Sequence, residues 1–109
     1  MTTRLPLLAG VIAASIMIIA IAYGLASGGF VEGLRTVAGD PWGRVTLADL
    51  ASGLLVAGAW IGWREASIAR AAPWWIALIL TGNLALGVYL VRAARSSDSM
   101  HQLLLGTRT

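Results

Sequence analysis

From Leu5 to Ser27 the chain carries no charged side chain. At 1.5 Å per residue, an uncharged run of this length covers the roughly 30 Å of a bilayer's hydrocarbon core. Backbone polar groups in hydrocarbon must be satisfied internally, so the run is expected to be a helix. The other reading of such a segment is a signal peptide with Arg4 as its basic start, but the apolar stretch exceeds the usual core of about 7–15 residues. No other single feature narrows the fold so far, and it points to an all-α membrane protein.

Two more runs fit the same description. Pro41 to Trp63 follows Asp40, a plausible N-cap, with Pro41 at the first helical position, where its missing N–H costs nothing. Pro73 to Arg92 also opens on a proline. The expected architecture is a three-helix transmembrane domain over residues 1–95. Its spans lie near 5–27, 41–63 and 73–93, and helices two and three form an antiparallel hairpin. A polar tail, 96–109, follows. The prolines are read as helix starts. "GGFVEGLRTVAG" is read as a Gly-rich loop and "REASIARAA" as a short join. The apolar stretch Leu103 to Leu105 in the tail is either a surface-lying segment or disordered.

Composition agrees with this reading. The chain is 58% hydrophobic and 12% charged, against about 25% charged in soluble domains. It has no cysteine, which excludes disulfides, thiolate metal sites and cysteine nucleophiles. Its one histidine, His101, lies outside every apolar run, so no intramembrane haem ligand and no Ser-His-Asp set is on offer. No catalytic residue, metal or cofactor is expected. The net charge of +3 comes from eight arginines and no lysine. These flank apolar runs, so they read as topology signals and headgroup contacts, and nucleic acid is not an expected partner. Gly-rich stretches such as "GLRTVAGD" follow no strand and lack the Gly-Lys-Ser/Thr ending of a phosphate loop.

Trp60, Trp63, Trp74 and Trp75 flank the second join and are expected to form an interface belt, with Trp42 marking the opposite interface. Arg4, Arg64 and Arg70 fall on the belt side. Arg35, Arg44, Arg92, Arg95 and Arg108 fall on the other. The positive-inside rule then leans to a cytoplasmic C-terminus and an outside N-terminus.

The stretches Asp40 to Gly43 (Asp-Pro-Trp-Gly), Thr46 to Asp49 (Thr-Leu-Ala-Asp), Trp60 to Glu65 and Gly82 to Ala85 (Gly-Asn-Leu-Ala) together resemble an uncharacterised family of small three-span membrane proteins, a domain of unknown function. The resemblance covers roughly the C-terminal two thirds of the chain. It implies a three-span fold and no activity.

Asp49 sits well inside the second run. Counting from the belt, it lies about 21 Å up the second span, with Tyr89 about 22 Å and Arg92 about 27 Å up the third. Tyr23 and Arg44 fall nearby, so Tyr23, Arg44, Thr46, Asp49, Tyr89 and Arg92 are expected to form one intramembrane polar layer. A charge at a helix centre costs about 2.5–3.5 kcal/mol on insertion scales. Asp49 is therefore expected to hydrogen-bond one of these neighbours, either as an interhelical clasp or as an ion site. Asn83, near mid-membrane, is expected to face the bundle, where interhelical bonds contribute about 0.6–2 kcal/mol. Gly10 with Ala14, Gly53 with Ala57, and Gly58 with Gly62 form small-residue faces suited to close helix packing.

The function expected from this inventory is a small integral membrane protein of a bacterial inner (plasma) membrane. It would have no catalytic site and would act as an accessory or interaction subunit beside another membrane protein or further copies of itself. Two readings compete with it. One is a homo-oligomeric transporter or channel with Asn83 and Asp49 lining the path. The other is an interfacial membrane enzyme using Asp49 or Asp40.

Overall fold

A computed structural model describes residues 3–106, and every regular element among them is a helix: α1 (Arg4–Ser27), α2 (Phe30–Gly39), α3 (Pro41–Glu65), α4 (Ile68–Thr81), α5 (Asn83–Arg95) and α6 (Met100–Leu105). Two of these, α1 and α3, are long and apolar enough to cross a membrane. Arg108, placed in the tail at the sequence level, lies outside the described residues.

The N-terminal capping of α3 follows the sequence. The Asp40 carboxylate accepts the Gly43 N–H at 2.9 Å, and Pro41 occupies the first turn. The segment before it is a helix and not the expected loop. In α2, Phe30, Val31, Leu34 and Val37 recur at helical spacing and make it strongly amphipathic. The α2–α3 corner is so tight that a Cβ on Gly43 would overlap the Val37 carbonyl. Arg44 Nε donates to the Ala38 carbonyl at 2.6 Å across it.

At the far end of α3 the backbone turns through Ala66, in the left-handed region at φ 59°, and Ser67 starts α4. α3 and α4 form a helical hairpin here, so only the first half of the third apolar run pairs with the second run. Trp75 lies over Gly58 and Gly62, and its indole N–H donates to the Gly58 carbonyl at 2.9 Å. The Gly58/Gly62 face is thus filled from within the chain. Pro73 does not open this helix as expected but lies inside it, because α4 already begins at Ile68.

The largest departure from expectation is at Gly82. The third apolar run is not one span of 73–93 but two helices that fold back on each other. Trp74 and Tyr89 have ring centroids 4.9 Å apart, whereas an unbroken helix would hold them roughly 22 Å apart. The cause is local: Gly82 has φ 61° and ψ −128°, a conformation closed to residues with a side chain. α4, with 14 residues, and α5, with 13, each rise only about 20 Å.

The returning helix α5 is what α1 packs on, in antiparallel sense. A Cβ on Gly10 would lie 2.8 Å from the Gly87 carbonyl oxygen, and one on Gly87 would lie 2.9 Å from the Ala14 nitrogen. The Gly10/Ala14 pair read from the sequence therefore does serve a close backbone crossing. Its partner, Gly87, becomes available only because the chain turns at Gly82.

The core lies at one end of the molecule. Ile61, Ala71, Leu78, Ala85, Tyr89, Ala93, Ala94 and Leu103 are buried there. Leu103 belongs to α6, so the tail's apolar stretch is helical and not disordered, with Leu103 buried in the core and Leu104 exposed. Beyond the hairpin's tip, α1 and α3 extend as apolar rods with Ile18, Ile19, Leu25, Val45 and Leu50 exposed.

Candidate functional site

Polar side chains gather at the core end, where the chain reverses at Ala66. Tyr89, 1% exposed, is delivered there by α5, and its hydroxyl donates to Glu65 Oε2 at 2.6 Å. Arg64 Nη1 donates to the Tyr89 hydroxyl at 3.1 Å and to Glu65 Oε2 at 3.3 Å. Trp60 and Trp74 pack edge-on against the Tyr89 ring, with centroids at 5.4 and 4.9 Å.

The same guanidinium holds the tail. Arg64 Nε donates to the Leu103 carbonyl at 2.5 Å and Nη2 to Ser97 Oγ at 3.4 Å. The Trp60 indole N–H donates to the Leu104 carbonyl at 3.0 Å. Gly106 closes against this side chain, where a Cβ would lie 2.7 Å from Arg64 Cγ and from the Arg64 carbonyl oxygen. Above the network opens a cleft of about 390 Å³, walled by Arg64, Glu65, Arg70, Tyr89, Arg92 and Gln102 among others.

The polar layer anticipated around Asp49 does not assemble within the chain. Tyr89 and Arg92 sit at the opposite end of α3, because the turn at Gly82 reverses the rise assumed for them. Arg92 rests over the Trp74 ring at 5.8 Å. Tyr23 is 73% exposed. Thr46 donates to the Trp42 carbonyl at 3.0 Å, and Arg44 is engaged at the α2–α3 corner. Asp49 is exposed, and among the described residues it has no hydrogen-bond partner. Asn83, expected to face the bundle, is exposed at the first position of α5.

The tryptophans divide. Trp63 and Trp42 are exposed, at 46% and 77%. Trp60, Trp74 and Trp75 turn inward onto Tyr89 and the α3 glycines. The Arg64–Glu65–Tyr89 network was missed by sequence reasoning. Its only local signal is the Arg-Glu pair closing an apolar run, which is equally a solvated helix exit.

The arginine distribution changes with the turn. Since α5 runs back, Arg92 and Arg95 join Arg4, Arg64 and Arg70 at the core end, and among the described residues only Arg35 and Arg44 remain at the other. Comparison with family models, with curated proteins and with solved structures finds no match for this chain.

Proposed function

We propose that this chain is an integral membrane protein with two spans, α1 and α3, and a half-depth helical hairpin, α4–α5. In this reading it acts without catalysis, as an interaction subunit completed in the bilayer by a neighbouring chain. The resemblance to small three-span proteins implies a third crossing, and this reading departs from it by making the third apolar run a hairpin. The positive-inside rule applied to the described arginines supports a cytoplasmic core end, with the α1–α2 turn outside.

The observation that carries the proposal is Asp49. It sits about 24 Å up α3 from Glu65, roughly a turn above the hairpin tip at Gly82, and no described residue gives it a donor. A carboxylate at that depth needs donors, and lipid supplies none. Gly53 continues its face at helical spacing, with no described residue within 4 Å of a Cβ there, whereas Ala57, one turn further, is already buried within the chain. The simplest source of donors is another protein against this face.

The test is native mass spectrometry after extraction in mild detergent. The wild type is expected to carry a second chain, a copy or a different protein, and Asp49→Leu to release it while remaining folded. A wild type that is monomeric and loses nothing on substitution contradicts the reading. A second reading, transport, is favoured by one feature: Asn83 caps the hairpin tip within roughly a turn of Asp49 in height, and non-helical backbone at membrane depth is tolerated where it lines water. Ion flux through proteoliposomes that Asp49→Asn abolishes, with assembly intact, selects it.

A further inference from the structure

We propose that the cleft at the core end is a binding site for a phosphate ester, held by Arg70 of α4 and Arg92 of α5. These arginines are far apart in sequence and face one cleft because the chain folds back at Gly82. The Arg92 guanidinium lies over the Trp74 ring at 5.8 Å. Stacking on an aromatic face orients such a group while leaving its N–H donors available for an anion. Among the described residues neither Arg70 nor Arg92 has a carboxylate partner.

The acidic wall does not cancel this field. Glu65 Oε2 already accepts the Tyr89 hydroxyl at 2.6 Å and Arg64 at 3.3 Å, so its charge is answered inside the wall. Three arginines against one glutamate leave the cleft net positive. Gln102 adds a neutral group at the rim. About 390 Å³ admits a phosphate with its glycerol. Arginine forks match phosphate oxygens in pairs, which favours phosphate over a spherical anion.

Two sources share this chemistry. One is a phospholipid headgroup, which rests on the membrane reading above. The other is a soluble phosphate ester, which does not. Detergent-purified full-length protein is offered phosphatidylglycerol, and diacylglycerol as the phosphate-free control, with native mass spectrometry counting retained molecules. Glycerol phosphate is titrated separately by calorimetry. Wild type should retain phosphatidylglycerol over diacylglycerol, and the Arg70→Gln/Arg92→Gln double variant should lose that preference by about tenfold or more. Both arginines are exposed, so an unchanged melting temperature is expected and confirms the variant is folded. Retention of the lipid alone assigns the lipid source, and saturable binding of glycerol phosphate, lost in the variant, assigns the soluble one. Equal retention by wild type and variant, or binding of neither ligand, overturns the site. The number of chains read in the same spectra reports on assembly independently.

Discussion

Gly87→Leu should detach α1 from the rest of the molecule. The contact it breaks is backbone on backbone. A Cβ at Gly87 would lie 2.9 Å from the Ala14 nitrogen, 3.0 Å from the Gly10 carbonyl oxygen and 3.2 Å from the Ala14 Cα. No rotamer change relieves such an overlap, so the helices must separate. Overpacking a filled site costs about 1–3 kcal/mol, and more when only main chain can yield. α5 is the chief element α1 packs on, so the loss is not shared with other contacts. The expected result is a melting temperature lowered by many degrees in detergent. Gly24→Ala is the control, since nothing within 4 Å meets its new methyl. It should melt like the wild type or slightly above it, because alanine is the better helix former.

Arg64→Ala should release the tail and loosen the core end together. Its guanidinium links the ends of α3, α5 and α6 through Glu65, Tyr89, Ser97 and the Leu103 carbonyl. The side chains of Arg64 and Glu65 are only 11% and 15% exposed, so truncation leaves a shielded carboxylate with the Tyr89 hydroxyl as its remaining partner. Stranding one member of such a pair costs about 2–3 kcal/mol. Limited trypsin digestion should then cut at Arg95, where α5 ends, well before it does in the wild type. Arg64→Lys keeps the charge but not the fork of donors, and should fall between the two. Unchanged digestion of Arg64→Ala would mean that α6 is held by Leu103 packing and the Trp60 bond alone.

How much of this was legible follows from where the physics is local. The uncharged run of α1, the Asp40–Pro41 start of α3 and the hairpin joining α3 to α4 depend on neighbouring residues, and they read directly. The Gly10–Ala14 face was visible, but Gly87 opposite it was not. The turn at Gly82 was written as "TGN" inside an apolar run, where glycine is common in membrane helices and so carries little weight. A glycine followed by asparagine is nonetheless a helix-stop signal, and weighing it would have split the run. The misplacement of Tyr89, Arg92 and Arg95 follows from that one. An unbroken helical rise carries Tyr89 up beside Asp49, whereas it returns to Glu65, and Arg92 and Arg95 lie at the core end. The amphipathic α2 was hidden by its glycines, although Phe30, Leu34 and Val37 keep helical spacing.

The central claim is that the chain turns back at Gly82 and does not cross a third time. The chain has no cysteine, so a single introduced thiol reports its own location. Ala69→Cys and Ser96→Cys place thiols at exposed positions before and after the hairpin, and Gly33→Cys places one on α2, where nothing lies within 4 Å of the new Cβ. Each is reconstituted in vesicles of defined orientation and treated with a membrane-impermeant thiol reagent. The account predicts that Ala69→Cys and Ser96→Cys label from the same face and Gly33→Cys from the other. Labelling of Ala69→Cys and Ser96→Cys from opposite faces would contradict it, because only a third crossing can separate them.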